Sequence, residues 1–147
     1  MKQAYGQQSK GFSLLEVMMA LAIVGILTMV ALPSYTNYVE RSRRGDAMDL
    51  LLSVATAQQQ YYLTNRTYAA HIDDLPISAL SADAHYHARV IAASPTAYRV
   101  RALTWGSGVS GLQHGDGRFE LRSTGRKLWD CNNNNTFSCS WSDASRK

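Results

Sequence analysis

One charged side chain lies near the start of a long apolar stretch at the N-terminal end of the sequence. Within residues 12–32 the only side chain charged at neutral pH is the carboxylate of Glu16. A charge inside a membrane-length apolar helix costs about 2.5–3.5 kcal/mol on insertion scales. The stretch therefore predicts a membrane-spanning helix in which Glu16 has a partner or a function.

The residues around Glu16 form a specific motif. The run Gly-Phe-Ser-Leu-Leu-Glu-Val at residues 11–17, preceded by Lys10, resembles the processing site of type IV pilins and related pseudopilins. In that family a prepilin peptidase cuts after the glycine and methylates the new N-terminal amine. The resemblance implies cleavage between Gly11 and Phe12 and N-methylation of Phe12. It also implies that Glu16 meets the N-terminal amine of a neighbouring subunit during assembly, and an amine and a carboxylate in hydrocarbon strongly favour such pairing.

A secretory signal peptide and a simple membrane anchor are the other interpretations of the apolar stretch. A signal peptide is cut after its apolar region at a small-x-small site, and no such site stands at the end of the apolar stretch before Pro33. Both interpretations leave Glu16 without a purpose. The processing motif is therefore the preferred interpretation.

A single long helix is predicted from residue 13 to about residue 63, because the second half of this range is rich in good helix formers. Its first half is apolar on all sides. Its second half is amphipathic, with Leu50, Val54, Ala57 and Tyr61 at spacings of three and four. These four side chains are expected to face the remainder of the protein.

Gly25 and Pro33 both weaken this helix, and the proline removes one backbone hydrogen bond. They predict a kink or local melting near residues 25–33. By their offset from the cleavage site, both residues fall where type IVa pilins carry a glycine and a proline. The resemblance therefore implies that Gly25 and Pro33 take part in assembly.

Period-two alternation predicts four antiparallel strands in the rest of the chain. The predicted strands cover residues 85–92, 96–103, 118–122 and 126–129. Because each face of a sheet needs a partner, the strands are expected to pack on the amphipathic half of the helix. The predicted fold class is α+β, and the resemblance implies the type IV pilin fold.

The chain of 147 residues suits one compact head with an extension. The predicted organisation is a leader peptide at 1–11, a transmembrane or filament-core segment at 12–34, and a globular head at 35–147.

Two cysteines, Cys131 and Cys139, enclose the polar residues 132–138. An exported domain in an oxidising compartment is expected to join them. Zinc binding is the alternative, but a thiol pair without a Cys-x-x-Cys spacing or a nearby histidine is a poor zinc site. The sequence therefore predicts a disulfide loop at 131–139.

No residue pattern in the sequence predicts catalysis, a cofactor or a metal. Nothing supports a Ser-His-Asp or Cys-His arrangement. His85 and His87 share a strand face, but two ligands do not make a metal site. The glycine-rich residues 106–117 lack a phosphate-binding spacing. The chain is therefore expected not to be an enzyme.

Basic residues are concentrated in the predicted strands. Arg99, Arg101, Arg118 and Arg122 would share the solvent face of the sheet and could contact DNA through its phosphates. The tryptophans placed beside them are Trp105, Trp129 and Trp141. A solvated outer face that keeps the head soluble is the preferred interpretation. The formal charge of +4 falls to about +2 once the two leader lysines are removed, which is weak evidence for a polyanion partner.

The sequence as a whole is similar to the minor type IVa pilins of the PilE kind. The resemblance implies a structural subunit that primes or joins type IV pili and supports pilus biogenesis, twitching motility and adhesion. It implies major and minor pilins, inner-membrane assembly proteins and the prepilin peptidase as partners. The implied location is the inner membrane with a periplasmic head, and then the cell-surface pilus. The alternatives are a DNA-binding minor pilin in DNA uptake and a type II secretion pseudopilin, which usually lacks the cysteine pair.

Overall fold

The computed structural model of the chain describes residues 11–104 and 116–144. Most of the predicted leader and the glycine-rich connection with Trp105 lie outside the described residues. The chain divides into two units, Met1–Thr36 and Asn37–Lys147.

The N-terminal unit is built on the first part of a long helix. Helix α1 spans Leu14–Asn65, within two residues of the predicted bounds at each end. The large apolar side chains between Phe12 and Leu32 are exposed. An 18-residue window reaches a mean hydropathy of 2.4, so α1 is long and apolar enough to cross a membrane.

Helix α1 continues through Gly25 and residue 33 without interruption. The prediction of local melting near residues 25–33 was therefore wrong, because the loss of one hydrogen bond at a proline leaves the neighbouring bonds of the ladder in place. The Thr28 hydroxyl donates a further hydrogen bond to the carbonyl oxygen of Val24 at 2.7 Å. A kink at this position stays a prediction.

The second unit carries a five-stranded antiparallel sheet in the order β1-β2-β3-β4-β5. The strands are β1 (Tyr86–Ala93), β2 (Tyr98–Thr104), β3 (Phe119–Arg122), β4 (Lys127–Trp129) and β5 (Cys139–Ser140). A 3-10 turn (Ile72–Asp74) precedes β1, and a short helix α2 (Trp141–Ala144) follows β5.

The prediction of four strands omitted β5. This strand has only two residues, too few for an alternating pattern to be visible in the sequence. Cys139 pairs with Trp129 of β4, and the disulfide from Cys139 to Cys131 holds the end of the chain beside that strand. The four other strands lie within two residues of their predicted bounds.

The core of the head lies between α1 and the inner face of the sheet. Leu51 and Val54 of α1 are fully buried, as are Tyr86, Val100 and Phe119 of the first three strands. The apolar residues that repeat every three to four positions in the helix therefore pack against those that repeat every two positions in the strands, and together they form one core. This arrangement confirms the predicted α+β architecture.

Gln58 is a polar residue on the buried face of α1. Its side-chain amide donates to the carbonyl oxygen of Ala69 and accepts from the backbone N–H of Ala69, both at 2.9 Å. Because both polar atoms of the side chain are paired, its burial is not penalised by an unmade hydrogen bond. The pair fixes the start of the loop that leads to β1.

Candidate functional site

The predicted processing residues lie at the start of the N-terminal unit. Gly11 and Phe12 precede α1, and Phe12 is 82% exposed. Glu16 lies in the first turn of α1. Glu16, Ala20 and Val24 follow one another at spacings of four, so they share one face of the helix, and with Phe12 they line a shallow groove. The carboxylate therefore lies on an apolar helix surface.

The outer face of the sheet carries three of the four arginines predicted to contact DNA. In the strand register Arg99 lies opposite Arg122, and Arg101 lies opposite Glu120. On its other side Arg101 lies opposite Arg89 of β1. Four cationic side chains and one carboxylate therefore share this face.

Glu120 pairs with two of these arginines and compensates one of their two charges. Its carboxylate accepts a hydrogen bond from Nε of Arg101 at 2.7 Å and from Nε of Arg122 at 2.8 Å. Glu120 itself is fully buried, although it belongs to the outer face. Because a buried carboxylate needs compensation, this ion-paired triad draws the two guanidinium groups towards the protein.

Arg118 is also engaged by the protein. One of its guanidinium nitrogens donates to the side-chain oxygen of Asn135 in the disulfide loop. The guanidinium group of Arg101 lies 4.7 Å from the ring centre of Phe137 in the same loop. The disulfide loop therefore covers the outer face beside β3.

Trp129 and Trp141 are not arranged as the DNA-binding alternative requires, and Trp105 lies outside the described residues. Trp129 and Trp141 are only 2% and 6% exposed and belong to the core, so they cannot stack on a nucleic-acid base. The Nε1–H groups of the two rings donate to the carbonyl oxygens of Asp116 and Leu128. The large apolar surface of the two rings was the available signal that they belong to the core, because tryptophan gains much from burying that surface.

Arg99 differs from its three predicted companions. Its Nε atom is buried and meets no hydrogen-bond acceptor among the described residues. Within the same residues neither Arg99 nor Arg89 has an ion pair. Of the positive charge on the outer face that is not compensated at short range, Arg99 and Arg89 carry two charges, and the triad of Arg101, Glu120 and Arg122 keeps one.

The predicted disulfide between Cys131 and Cys139 is formed. The loop that it closes is shaped by Asp130, a fully buried residue that the sequence reasoning missed. Its carboxylate accepts from the backbone N–H groups of Asn134 and Asn135 at 3.1 and 2.8 Å. An aspartate separated by only one residue, Cys131, from an asparagine run was the available signal, because both residue types favour turns.

A second buried polar cluster joins α1 to the rest of the head, and it too was missed. Nε of Arg44 donates to Asp116 at 2.6 Å, and Tyr86 donates its hydroxyl to the same carboxylate at 2.8 Å. Nη1 of Arg44 donates to the carbonyl oxygen of Ala144 at 3.1 Å, and the guanidinium group lies 4.9 Å from the ring centre of Trp129. One side chain of α1 thus contacts three other parts of the head, and Asp116 links it to Tyr86 as a fourth.

An acidic cluster lies where α1 meets the loop before β1. Burial, the nearby charge of Asp83 and a hydrogen bond with Asp83 raise the pKa of Asp46, while His85 lowers it. Among the residues of the described part of the chain, no group of three His, Cys, Asp or Glu side chains could hold a metal ion. The cluster is therefore interpreted as an electrostatic feature of the fold.

Comparison with known proteins gives this architecture a family. The model described as "Type IV minor pilin ComP, DNA uptake sequence receptor" matches residues 33–112, and the model described as "Prokaryotic N-terminal methylation motif" matches residues 6–32. The fimbrial protein EcpC of Eikenella corrodens is 31% identical over 131 residues, which cover 87% of this chain and 85% of that protein.

Two type IV major pilins match shorter regions. PilE1 of Neisseria gonorrhoeae is 45% identical over 56 residues, which cover 38% of this chain and 34% of that protein. PilA of Myxococcus xanthus is 28% identical over 71 residues, which cover 48% of this chain and 32% of that protein. The chain belongs to the type IV pilin family. The resemblance predicted from the motif at residues 11–17 is confirmed.

Proposed function

We propose that this chain is a minor pilin subunit that primes or joins type IV pili and thereby supports pilus biogenesis, twitching motility and adhesion. The observation that carries the proposal is the carboxylate of Glu16 on an exposed apolar helix, four residues after Phe12. The match of the methylation motif to residues 6–32 and the similarity to a fimbrial protein over most of the chain support it.

Processing comes first in this proposal. The prepilin peptidase removes residues 1–11 and methylates Phe12, which leaves Glu16 as the fifth residue of the mature chain. Residues 12–34 then hold the protein in the inner membrane with the head, residues 35–147, in the periplasm. Its partners are other pilins and the inner-membrane assembly proteins.

Assembly follows from the chemistry of the helix surface. Transfer from lipid to the filament exchanges lipid contacts for packed helices, so apolar burial changes little. A lone carboxylate in an apolar environment gains most from pairing with a cation, and the methylated amine of a neighbouring Phe12 supplies one. Glu16 therefore sets the axial position of the incoming subunit, and Gly25 and Pro33 let the helix adapt in the filament.

The test separates membrane insertion from incorporation. Glu16→Gln keeps the size of the side chain and removes its charge, and Ser13→Ala serves as the control on the same turn. We expect both variants to reach the membrane and to be processed, whereas only the Ser13→Ala variant is found in pili sheared from the cells. Wild-type amounts of the Glu16→Gln variant in the sheared pili would contradict the pairing. An unchanged pilus count by electron microscopy after deletion of the gene would contradict the assembly role.

DNA binding during uptake is a second candidate function. The specific observation that favours it is that residues 33–112 of this chain match a family described as a DNA uptake sequence receptor. The exposed Arg89 and the uncompensated Arg99 supply positive charge for phosphate contacts on the outer face of the sheet. Arg101, Arg118 and Arg122 are held by Glu120 and Asn135, so they contribute less than the sequence suggested.

The salt dependence of DNA binding tests this candidate. The mature chain in detergent is titrated with labelled duplex DNA at several salt concentrations. Arg99→Gln is expected to lower the slope of log affinity against log salt by about 1, the value for one phosphate contact. Arg126→Gln, which removes the same charge from the exposed turn after β3, is expected to leave the slope nearly unchanged. Equal losses in the two variants would contradict a site at Arg99.

A further inference from the structure

A polar cavity of about 300 Å³ lies beside β1, away from the core and the disulfide loop. One wall is the outer face of β1, with His87 and Arg89. The other wall is the segment around the 3-10 turn, with His71 and Asp73. The side chains at positions 87 and 89 project from the same side of the strand. Three nitrogen-bearing side chains and one carboxylate therefore border one small space.

The electrostatics of the cavity favour a bound anion. The pKa of His87 is lowered, first by burial and then by the charge of Arg89, while Asp73 acts in the opposite direction to a smaller extent. The strand partners of His87, Leu80 and Leu103, are apolar. His87 therefore lies in a locally positive field, and an anion between its ring and Arg89 would remove the repulsion that opposes its protonation.

Asp73 does not outweigh this field. Its carboxylate is exposed to solvent, where its interactions are screened, whereas His87 is partly buried. Arg89 has no ion pair among the described residues, so its guanidinium group is available for a bidentate contact. Arginine has the planar fork of donors that matches phosphate oxygens.

We propose that the cavity formed by His71, His87 and Arg89 binds a phosphate group. Arg89 provides the permanent charge, His87 adds a second charge when it is protonated, and the ring of His71 closes the other wall. Its volume is at the lower end of the range for small-molecule sites, so a single phosphate with one attached sugar fills it. Protonation and binding are linked: the ligand raises the pKa of His87, and lowering the pH through that pKa strengthens binding. This inference does not depend on the proposed function.

The first experiment measures the pKa of His87 directly. Ring resonances of the mature chain in detergent micelles are followed by NMR from pH 5 to 8, with sulfate as a phosphate analogue and with chloride at equal ionic strength. Sulfate keeps its charge over this range, so any pH dependence of its binding belongs to the protein. We expect sulfate, and not chloride, to raise the pKa of His87. An unchanged pKa with added sulfate would overturn the proposal.

Three variants make the test specific. Arg89→Gln is expected to weaken sulfate binding about tenfold, as for the loss of a charge-assisted hydrogen bond. His87→Gln is expected to remove the pH dependence while leaving weaker binding, and Arg126→Gln is the control of equal charge. Circular dichroism confirms that each variant is folded, which is expected because Arg89 and Arg126 are exposed. Equal weakening by Arg89→Gln and Arg126→Gln would show a general charge effect and overturn the site.

A final arm identifies the source of the phosphate. Inorganic phosphate and a short oligonucleotide are each titrated against bound sulfate at constant ionic strength. Displacement by both identifies a phosphodiester of a nucleic acid as a ligand, and displacement by inorganic phosphate alone identifies a free phosphate. Both outcomes support the site. Failure of inorganic phosphate to displace sulfate would contradict it.

Discussion

The buried ion pair between Arg44 and Asp116 makes a quantitative prediction about the stability of the head. The two side chains are 9% and 5% exposed, and their contact at 2.6 Å joins α1 to the segment before β3. Removing one partner of a buried pair typically destabilises a protein by about 3–5 kcal/mol, because the other charge is left buried and unpaired. Asp116 also accepts a hydrogen bond from Tyr86, which places the expected loss for Arg44→Met at the lower end, about 3 kcal/mol.

The assay is thermal and urea unfolding of the mature chain in detergent, followed by circular dichroism with the disulfide intact. A loss of about 3 kcal/mol corresponds to a decrease in Tm of about 12 °C for a head of this size. Arg41→Met is the matched control, because Arg41 is exposed on the same helix, and its expected effect is within about 0.5 kcal/mol.

A double-mutant cycle tests the reasoning behind this number. If the loss arises from an unpaired buried carboxylate, then Asp116→Asn in the Arg44→Met background removes the charge that needed the arginine. The double variant is expected to be more stable than the sum of the single effects predicts, by at least about 1 kcal/mol. Strict additivity of the two changes, or a loss below about 1 kcal/mol for Arg44→Met, would refute the argument.

Three further predictions concern single positions in the head. Gly117→Ala is expected to destabilise the head by at least about 2 kcal/mol, because Gly117 has φ +75° and an added Cβ would lie 1.8 Å from the carbonyl oxygen of Asp130. Gly125 has φ +82° but open space around it. Gly125→Ala in the same unfolding assay therefore measures the cost of the positive φ without the steric clash. Asp46→Asn is expected to raise Tm at pH 7. The pKa of Asp46 is higher in the folded state than in the unfolded state, so the ionised carboxylate destabilises the protein as the pH rises through the folded-state pKa. A gain in Tm that persists below pH 3.8 would contradict this charge mechanism. Reduction of the Cys131–Cys139 disulfide is expected to lower stability by about 2–3 kcal/mol, and unchanged urea midpoints with and without reductant would contradict a structural role.

The parts of the fold that were predicted correctly are those encoded by local pattern. The length of α1 follows from a run of helix formers, and its buried face follows from Leu50, Val54 and Ala57, which the structure places in the core. The inward positions Phe119 and Leu121 follow from alternation. Such patterns need only neighbouring residues, so they can be found without knowledge of the tertiary contacts.

The parts that were missed depend on residues far apart in the sequence. Arg44 and Asp116 are separated by 72 positions, and nothing local to either residue indicates the pairing. Strand β5 pairs with β4, and the disulfide to Cys131 holds it beside that strand. With only two residues, β5 is too short to show an alternating pattern in the sequence. The burial of Trp129 and Trp141 was also missed, because a charged strand next to an aromatic residue looks the same in the sequence whether the ring faces solvent or the core.

Glu120 shows why a count of charges is a poor guide to a binding surface. From the sequence, four arginines at positions 99, 101, 118 and 122 formed a candidate stripe. The structure places a single buried carboxylate between Arg101 and Arg122 at 2.7 and 2.8 Å. One carboxylate compensates only one of the two guanidinium charges, so the triad keeps a net charge of +1, and Arg99 and the neighbouring Arg89 carry the larger share of the positive charge on this face. The salt dependence of any DNA binding should therefore report about three phosphate contacts from this face instead of four, and a slope that requires four would mean that DNA displaces Glu120 from its arginines.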